Sequence, residues 1–102
     1  AELAIEDVNN ELRTELQNQY REYRSSLQLI ALERSNLAAA RGNLEVALEQ
    51  FELGTITSVE LRDVQEALIT AEAQLISAKF EAKRAETELL RLAGQLHPRF
   101  GE

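Results

Sequence analysis

The chain has no cysteine, no methionine and no tryptophan, one proline, and four glycines among 102 residues. Without cysteine it can form no disulfide, perform no thiol chemistry and build no cysteine-ligated zinc site. So few glycines and prolines cannot supply the turns of an all-β or α/β fold. Long hydrophobic runs are missing too. The longest, Leu29–Leu32 and Leu37–Ala40, are four residues each, far short of the roughly 20 that a membrane-spanning helix needs. Ala1 opens directly into helical sequence, with no basic n-region of the kind that starts a signal peptide. Basic residues are few: eleven stand against 18 acids, for a net charge of −7. An acidic surface with no basic stripe repels nucleic acid.

Catalytic signals are equally scarce. His97 is the single histidine. It lies in the tail with no second histidine or acid pair beside it, and reads as a solvent-exposed residue rather than a ligand or base. Asp63 with Glu66, and Glu45 with Glu49 and Glu52, read as solvated helix faces. There is no Glu-x-x-His pair of the kind that builds metal sites in helical bundles, and no glycine-rich phosphate loop. The sequence therefore predicts no enzyme, no metal and no cofactor.

What the chain does have is helix-forming residues. Ala, Glu, Lys, Leu and Arg number 14, 16, 2, 17 and 9, well over half of the total, the signature of long helices or a coiled coil. Residues 1–53 hold one glycine, Gly42, and no proline, while residues 55–93 hold neither. Gly54 separates the two stretches, and Gly94 and Pro98 close the second. The reading is all-α: a helix over about 2–53, a turn at 54–57, a helix over about 58–94 and a tail at 97–102. Residues 1–96 then form one long antiparallel two-helix coiled-coil hairpin.

The turn is specified three times over. Gly54 can supply the left-handed residue that ends the first helix. Thr57 and Glu60 make a capping box for the second, and Ile56 and Leu61 make a hydrophobic staple. Thr55, Ile56 and Thr57 disfavour helix and help the break.

In the second helix, Leu61, Val64, Leu68, Ala71, Leu75, Ala78, Ala82, Ala85, Leu89, Leu92 and Leu96 alternate spacings of three and four, a heptad seam. Its alanines would let a partner helix come unusually near. The first helix offers Leu16, Tyr20, Tyr23, Leu27, Ile30, Arg34, Leu37, Arg41, Leu44, Leu48 and Phe51 as the matching seam. Folding back at Gly54 would set Arg34 opposite Ala78 and Arg41 opposite Ala71, with the arginine heads reaching outward. Tyr20 and Tyr23 would be core residues with hydroxyls at the edge, and Gly42 a point of close packing.

Two features suggest further helices beside this hairpin. The first helix, at roughly 80 Å, would outreach the second, at roughly 57 Å, and it starts without a cap. A second apolar stripe also lies off each seam: Leu32, Ala39, Val46 and Leu53 on the first helix, and Ile69, Ala73, Ile76 and Phe80 on the second.

The stretch Phe51-Glu52-Leu53-Gly54-Thr55-Ile56-Thr57-Ser58-Val59-Glu60-Leu61 resembles the hairpin tip of the TolC-like outer membrane efflux proteins. That family repeats an aromatic residue, two further residues, a glycine, a small or basic residue, and then Ser or Thr before a helix. The likeness continues through Val64-Gln65-Glu66-Ala67-Leu68, Ala71-Glu72-Ala73-Gln74-Leu75 and Ala78-Lys79-Phe80. It ends in Leu89-Leu90-Arg91-Leu92-Ala93-Gly94-Gln95-Leu96, an apolar pair before a glycine and another leucine. It covers roughly residues 3–96.

The resemblance implies a homotrimeric export duct with a β-barrel in the outer membrane of a Gram-negative bacterium and a long α-helical barrel in the periplasm. This chain would be one periplasmic hairpin of that barrel, touching the membrane only through strands it does not contain. The duct would carry small molecules or proteins in tripartite efflux or type I secretion. The tip, Gly54, Thr55, Ile56, Thr57 and Ser58, would dock a periplasmic adaptor protein and through it, indirectly, an inner-membrane transporter. Leu32, Ala39, Val46, Ile69, Ile76 and Phe80 would pack against neighbouring hairpins.

In relatives a tyrosine, an arginine and an aspartate near the tip hold the duct closed. Those positions fall on Phe51, Ile56 and Asp63, and only the aspartate is kept. Closure would then rest on packing or on a ring of Asp63 carboxylates, which favours cations and impedes anions. Adaptor proteins of the same pumps also carry a helical hairpin with a similar glycine-containing tip. An autonomous coiled-coil docking module is the third reading.

Overall fold

The computed structural model describes residues 2–96 of the chain. Two helices account for nearly all of them, α1 (Glu2–Glu52) and α2 (Ser58–Leu96), joined by a five-residue turn in a helical hairpin. No strand occurs among the described residues. The tail at 97–102, with His97, lies outside them. At 51 and 39 residues, α1 is the longer helix by about three turns. The chain divides into two compact units, one spanning Leu29–Lys79 and the other made of the stretches up to Gln28 and from Phe80 onward.

The Leu29–Lys79 unit contains the turn, so its two helical stretches run antiparallel. Leu37 and Ala40 of α1 and Ala71 and Leu75 of α2 form its buried cluster, with Ile30 and Leu68 packed against it. Ala47 and Ala78 are buried as well. Each buried leucine contributes about 1.5–3 kcal/mol through the apolar area it removes from water. The alanines add little area, but they allow the close approach that lets the leucines reach the opposite helix.

In the other unit, Ala82, Ala85 and Leu92 of α2 are buried. Their counterparts on α1, namely Leu12, Leu16, Gln19, Tyr23 and Ser26, are only half-buried. One cross-helix hydrogen bond occurs here among the described residues, a long one of 3.5 Å from Gln19 Nε2 to the Ala85 carbonyl.

The seam of α2 follows the sequence reading: every position from Leu61 to Leu92 in that row is buried or half-buried. The seam of α1 does not. Leu16, Tyr23, Ile30, Leu37 and Leu44 face inward as expected, but the residues alternating with them are Gln19, Ser26, Glu33, Ala40 and Ala47. Tyr20, Leu27, Arg34, Arg41, Leu48 and Phe51 are exposed, Tyr20 by 51%. Arg34 and Arg41 therefore do not sit across from Ala78 and Ala71. The inward residues at these turns are Glu33 and Ala40, and Ala40 joins the cluster with Ala71.

The reason for the difference is steric. Spacings of three-then-four and four-then-three share every other residue, so only the alternate row distinguishes them. The alanine-rich partner comes close, and at each turn the smaller of two neighbours takes the inward row: Gln19 over Tyr20, Ser26 over Leu27, Glu33 over Arg34, Ala40 over Arg41 and Ala47 over Leu48. Gly42 is likewise exposed, and a Cβ built on it would meet nothing within 4 Å. It is not a close-packing point within this chain.

Candidate functional site

The candidate site is the turn and the helix ends that flank it. Gly54 has φ +76°, in the left-handed region that glycine enters without a Cβ penalty. That one residue reverses the chain and allows α1 to close its last carbonyls. The Gly54 N–H donates to the Phe51 carbonyl at 3.0 Å, and the Thr55 N–H reaches back to the Gln50 carbonyl at 2.8 Å. These two bonds are the paired five-to-two and six-to-one contacts of a Schellman motif. The Thr55 hydroxyl adds a third bond, donating to the same Gln50 carbonyl at 3.0 Å.

The start of α2 is fixed just as locally. Thr57 Oγ1 accepts the Glu60 N–H at 3.1 Å, and the Thr57 carbonyl takes the first helical bond, from the Leu61 N–H at 3.0 Å. This is the hydroxyl half of the expected capping box. The return bond from the Thr57 N–H to the Glu60 side chain is not formed among the described residues. Glu60 still lies in the first turn of α2, where its negative charge complements the helix dipole. Ile56 and Leu61, the two ends of the expected staple, are both half-buried.

Both threonine hydroxyls are engaged by the backbone, and two aliphatic side chains project from the turn. Leu53 is 78% exposed and Val59 65%, one on each side of Gly54. Thr55, Thr57 and Ser58 are exposed between them, and Ile56 is half-buried. A rigid turn with two projecting aliphatic side chains is suited to contact with a complementary apolar surface. The hydrogen bonds keep its backbone ordered beforehand, which lowers the entropy cost of binding.

Of the residues expected near a gate, Phe51 and Asp63 are exposed and Ile56 half-buried. Phe51 takes part in the turn through its carbonyl. Asp63 stands on α2 more than a turn beyond the cap.

The apolar positions expected to pack against neighbours are all on the surface. Leu32, Ala39 and Val46 of α1 and Ile69 and Ile76 of α2 are exposed in the Leu29–Lys79 unit, Ile76 by 68%. Phe80, in the other unit, is exposed as well. No large side chain anywhere in the described chain is completely buried.

Among the described residues, charged side chains pair only along α2. Lys83 meets Glu86 at 3.7 Å, Arg84 meets Glu81 at 3.5 Å, and Arg91 forms a forked pair with Glu88. The hydrogen bonds from Arg91 hold the Glu88 carboxyl below its ordinary range, and the same contact raises the Arg91 guanidinium. Glu33 is different. It stands in the inward row of α1, and its Oε2 is shielded from solvent with no hydrogen-bond partner. Nothing in the sequence pattern marked it as an inward residue.

No group of three or more acidic or imidazole side chains among the described residues is arranged to hold a metal ion, and no described helix is long and apolar enough to cross a membrane. The chain matches no family model, no curated protein and no solved structure.

Proposed function

We propose that this chain is a periplasmic coiled-coil hairpin of a TolC-like outer membrane duct, in which the Gly54 turn docks a periplasmic adaptor protein. One observation carries the reading. The apolar rows outside the seam, Leu32, Ala39 and Val46 on one helix and Ile69 and Ile76 on the other, are exposed although they repeat at helical spacing. A hairpin that functions alone has little use for such rows, whereas a wall of side-by-side helices buries them. The hydrogen-bonded turn, with Leu53 and Val59 projecting from it, supports the same reading, since a docking tip needs a fixed backbone and projecting side chains.

The role is structural and conducting rather than catalytic. Substrate would pass along a lumen walled by several such hairpins, and this chain would contribute wall and tip. Asp63 near the tip would place a negative charge at each protomer's entrance and favour cations.

The test is fractionation of the source cells followed by immunoblotting with antibody to this chain. The expected result is a band several times heavier than 11.5 kDa in the outer membrane. A heavy band in the inner-membrane fraction would replace the duct with the adaptor. A soluble band near 11.5 kDa would overturn both and leave an autonomous coiled coil.

A further inference from the structure

In the unit formed by the two chain ends, α1 and α2 enclose an open groove of about 600 Å³. Leu16 and Tyr20 of α1 and Leu89 and Leu90 of α2 give it an apolar lining, and Arg21 and Arg24 stand along its α1 side. These arginines are exposed and form no ion pair among the described residues. Their sequence context explains this. The positions three and four residues away from each hold no acid: Gln17, Asn18, Arg24 and Ser25 surround Arg21, and Tyr20, Arg21, Leu27 and Gln28 surround Arg24. Lys83, Arg84 and Arg91, by contrast, each have a glutamate at the spacing that allows pairing along a helix. The groove is therefore apolar and cationic in a chain of net charge −7.

The complementary surface lies on the same chain, in the Leu29–Lys79 unit. At the end of α1, the exposed Val46 and Leu53 are accompanied on the outward face by Glu49 and Glu52. These two acids also lack a base three or four residues away, and neither is ion-paired. We infer that the groove binds a second copy of this chain, with Val46 and Leu53 of one copy seated on Leu16, Tyr20, Leu89 and Leu90 of the other, and Glu49 and Glu52 facing Arg21 and Arg24. The charges choose the partner surface and the apolar residues supply the burial. The inference does not rest on the duct reading: it gives Val46 and Leu53 a second copy as their partner, in place of a neighbouring hairpin and an adaptor.

Sedimentation equilibrium of the chain at 20 mM and 500 mM salt tests it, with circular dichroism to establish that every variant remains helical. The expected result is a mass above 11.5 kDa at low salt that falls toward the monomer at high salt, because exposed charge pairs are screened. The double variant Arg21→Glu/Arg24→Glu should associate about tenfold more weakly, and so should Glu49→Arg/Glu52→Arg. Mixing the two charge-reversed variants should restore association. A monomeric wild type at millimolar concentration would overturn the inference. So would charge-reversed variants that associate as strongly as wild type, or a mixture that stays monomeric.

Discussion

In the Leu29–Lys79 unit, both helices contribute buried side chains: Leu37, Ala40 and Ala47 from α1 and Ala71, Leu75 and Ala78 from α2. In the unit made of the chain ends, every buried side chain among the described residues comes from α2. The inward row of α2 is apolar throughout in both units, Leu68, Ala71, Leu75 and Ala78 in one and Ala82, Ala85, Leu89 and Leu92 in the other. The difference lies in α1. Its inward row reads Leu37, Ala40, Leu44 and Ala47 in one unit, and Leu16, Gln19, Tyr23 and Ser26 in the other. A polar residue at every second position reduces the apolar contact while the heptad spacing continues unbroken. Gln19 makes only a 3.5 Å bond across the seam, and Ser26 turns its hydroxyl back to the Glu22 carbonyl of its own helix at 2.9 Å. Periodicity sets which residues face each other, and the chemistry of a single row sets how firmly they hold.

The contrast can be broken most directly at Leu37. Leu37→Ala removes a buried side chain from the central cluster and should cost about 2–4 kcal/mol in urea unfolding, while Leu16→Ala, at a half-buried site, should cost about half as much. Equal losses would show that the two units are equally well packed. The next largest effect is expected at the turn. Gly54→Val forces a β-branched residue to a positive φ and should destabilise by about 1–2 kcal/mol, seen as a lowered melting temperature by circular dichroism. Gly54→Asn should lose less, because asparagine tolerates this conformation.

Glu33 is the one place where the better-packed unit carries a polar intrusion of the other kind. Glu33→Leu should raise stability by about 1 kcal/mol, since it removes a shielded oxygen that has no partner. A loss of stability there would show that the carboxylate has a favourable interaction in solution. Gly42→Ala should add about 0.5–1 kcal/mol in thermal unfolding, as the new methyl has open space and alanine favours helix.

The smallest effect belongs to the Glu88–Arg91 pair. Arg91 lowers the Glu88 carboxyl in the folded state, so its contribution is complete above the ordinary carboxylate range and is lost as pH falls through the lowered value. Glu88→Gln should make the acid side of a melting-temperature profile slightly flatter, with no change at the tip.

The fold was largely legible in the sequence because its determinants are local. Gly54, Thr57 and the absence of other breakers define two helices and a turn, and the turn's hydrogen bonds span only three to five residues. The α2 seam was legible because its apolar residues alternate spacings of three and four from Leu61 to Leu92 without interruption. The α1 seam was half legible. Tyr20, Leu27 and Leu48 are larger and more apolar than Gln19, Ser26 and Ala47, so residue character pointed to the wrong alternate row. Only the partner helix, with its alanines, decides between the rows, and that is a tertiary fact. At the candidate site, the left-handed glycine and the threonine cap were readable from residue types. The engagement of the Thr55 hydroxyl by the Gln50 carbonyl depends on backbone geometry that no spacing rule specifies.

The locality of the turn also sets the order in which the chain comes together. Its hydrogen bonds join residues three to five apart, whereas the bond from Gln19 to Ala85 joins residues 66 apart. Closing a short loop costs less entropy than closing a long one, and each contact made shortens the loop that the next must close. The hairpin therefore zips from Gly54 outward, one heptad at a time. Pulled by its two ends, it would unzip in the reverse order, yielding first where Gln19 and Ser26 weaken the seam and resisting most as the force reaches Leu37 and Leu75.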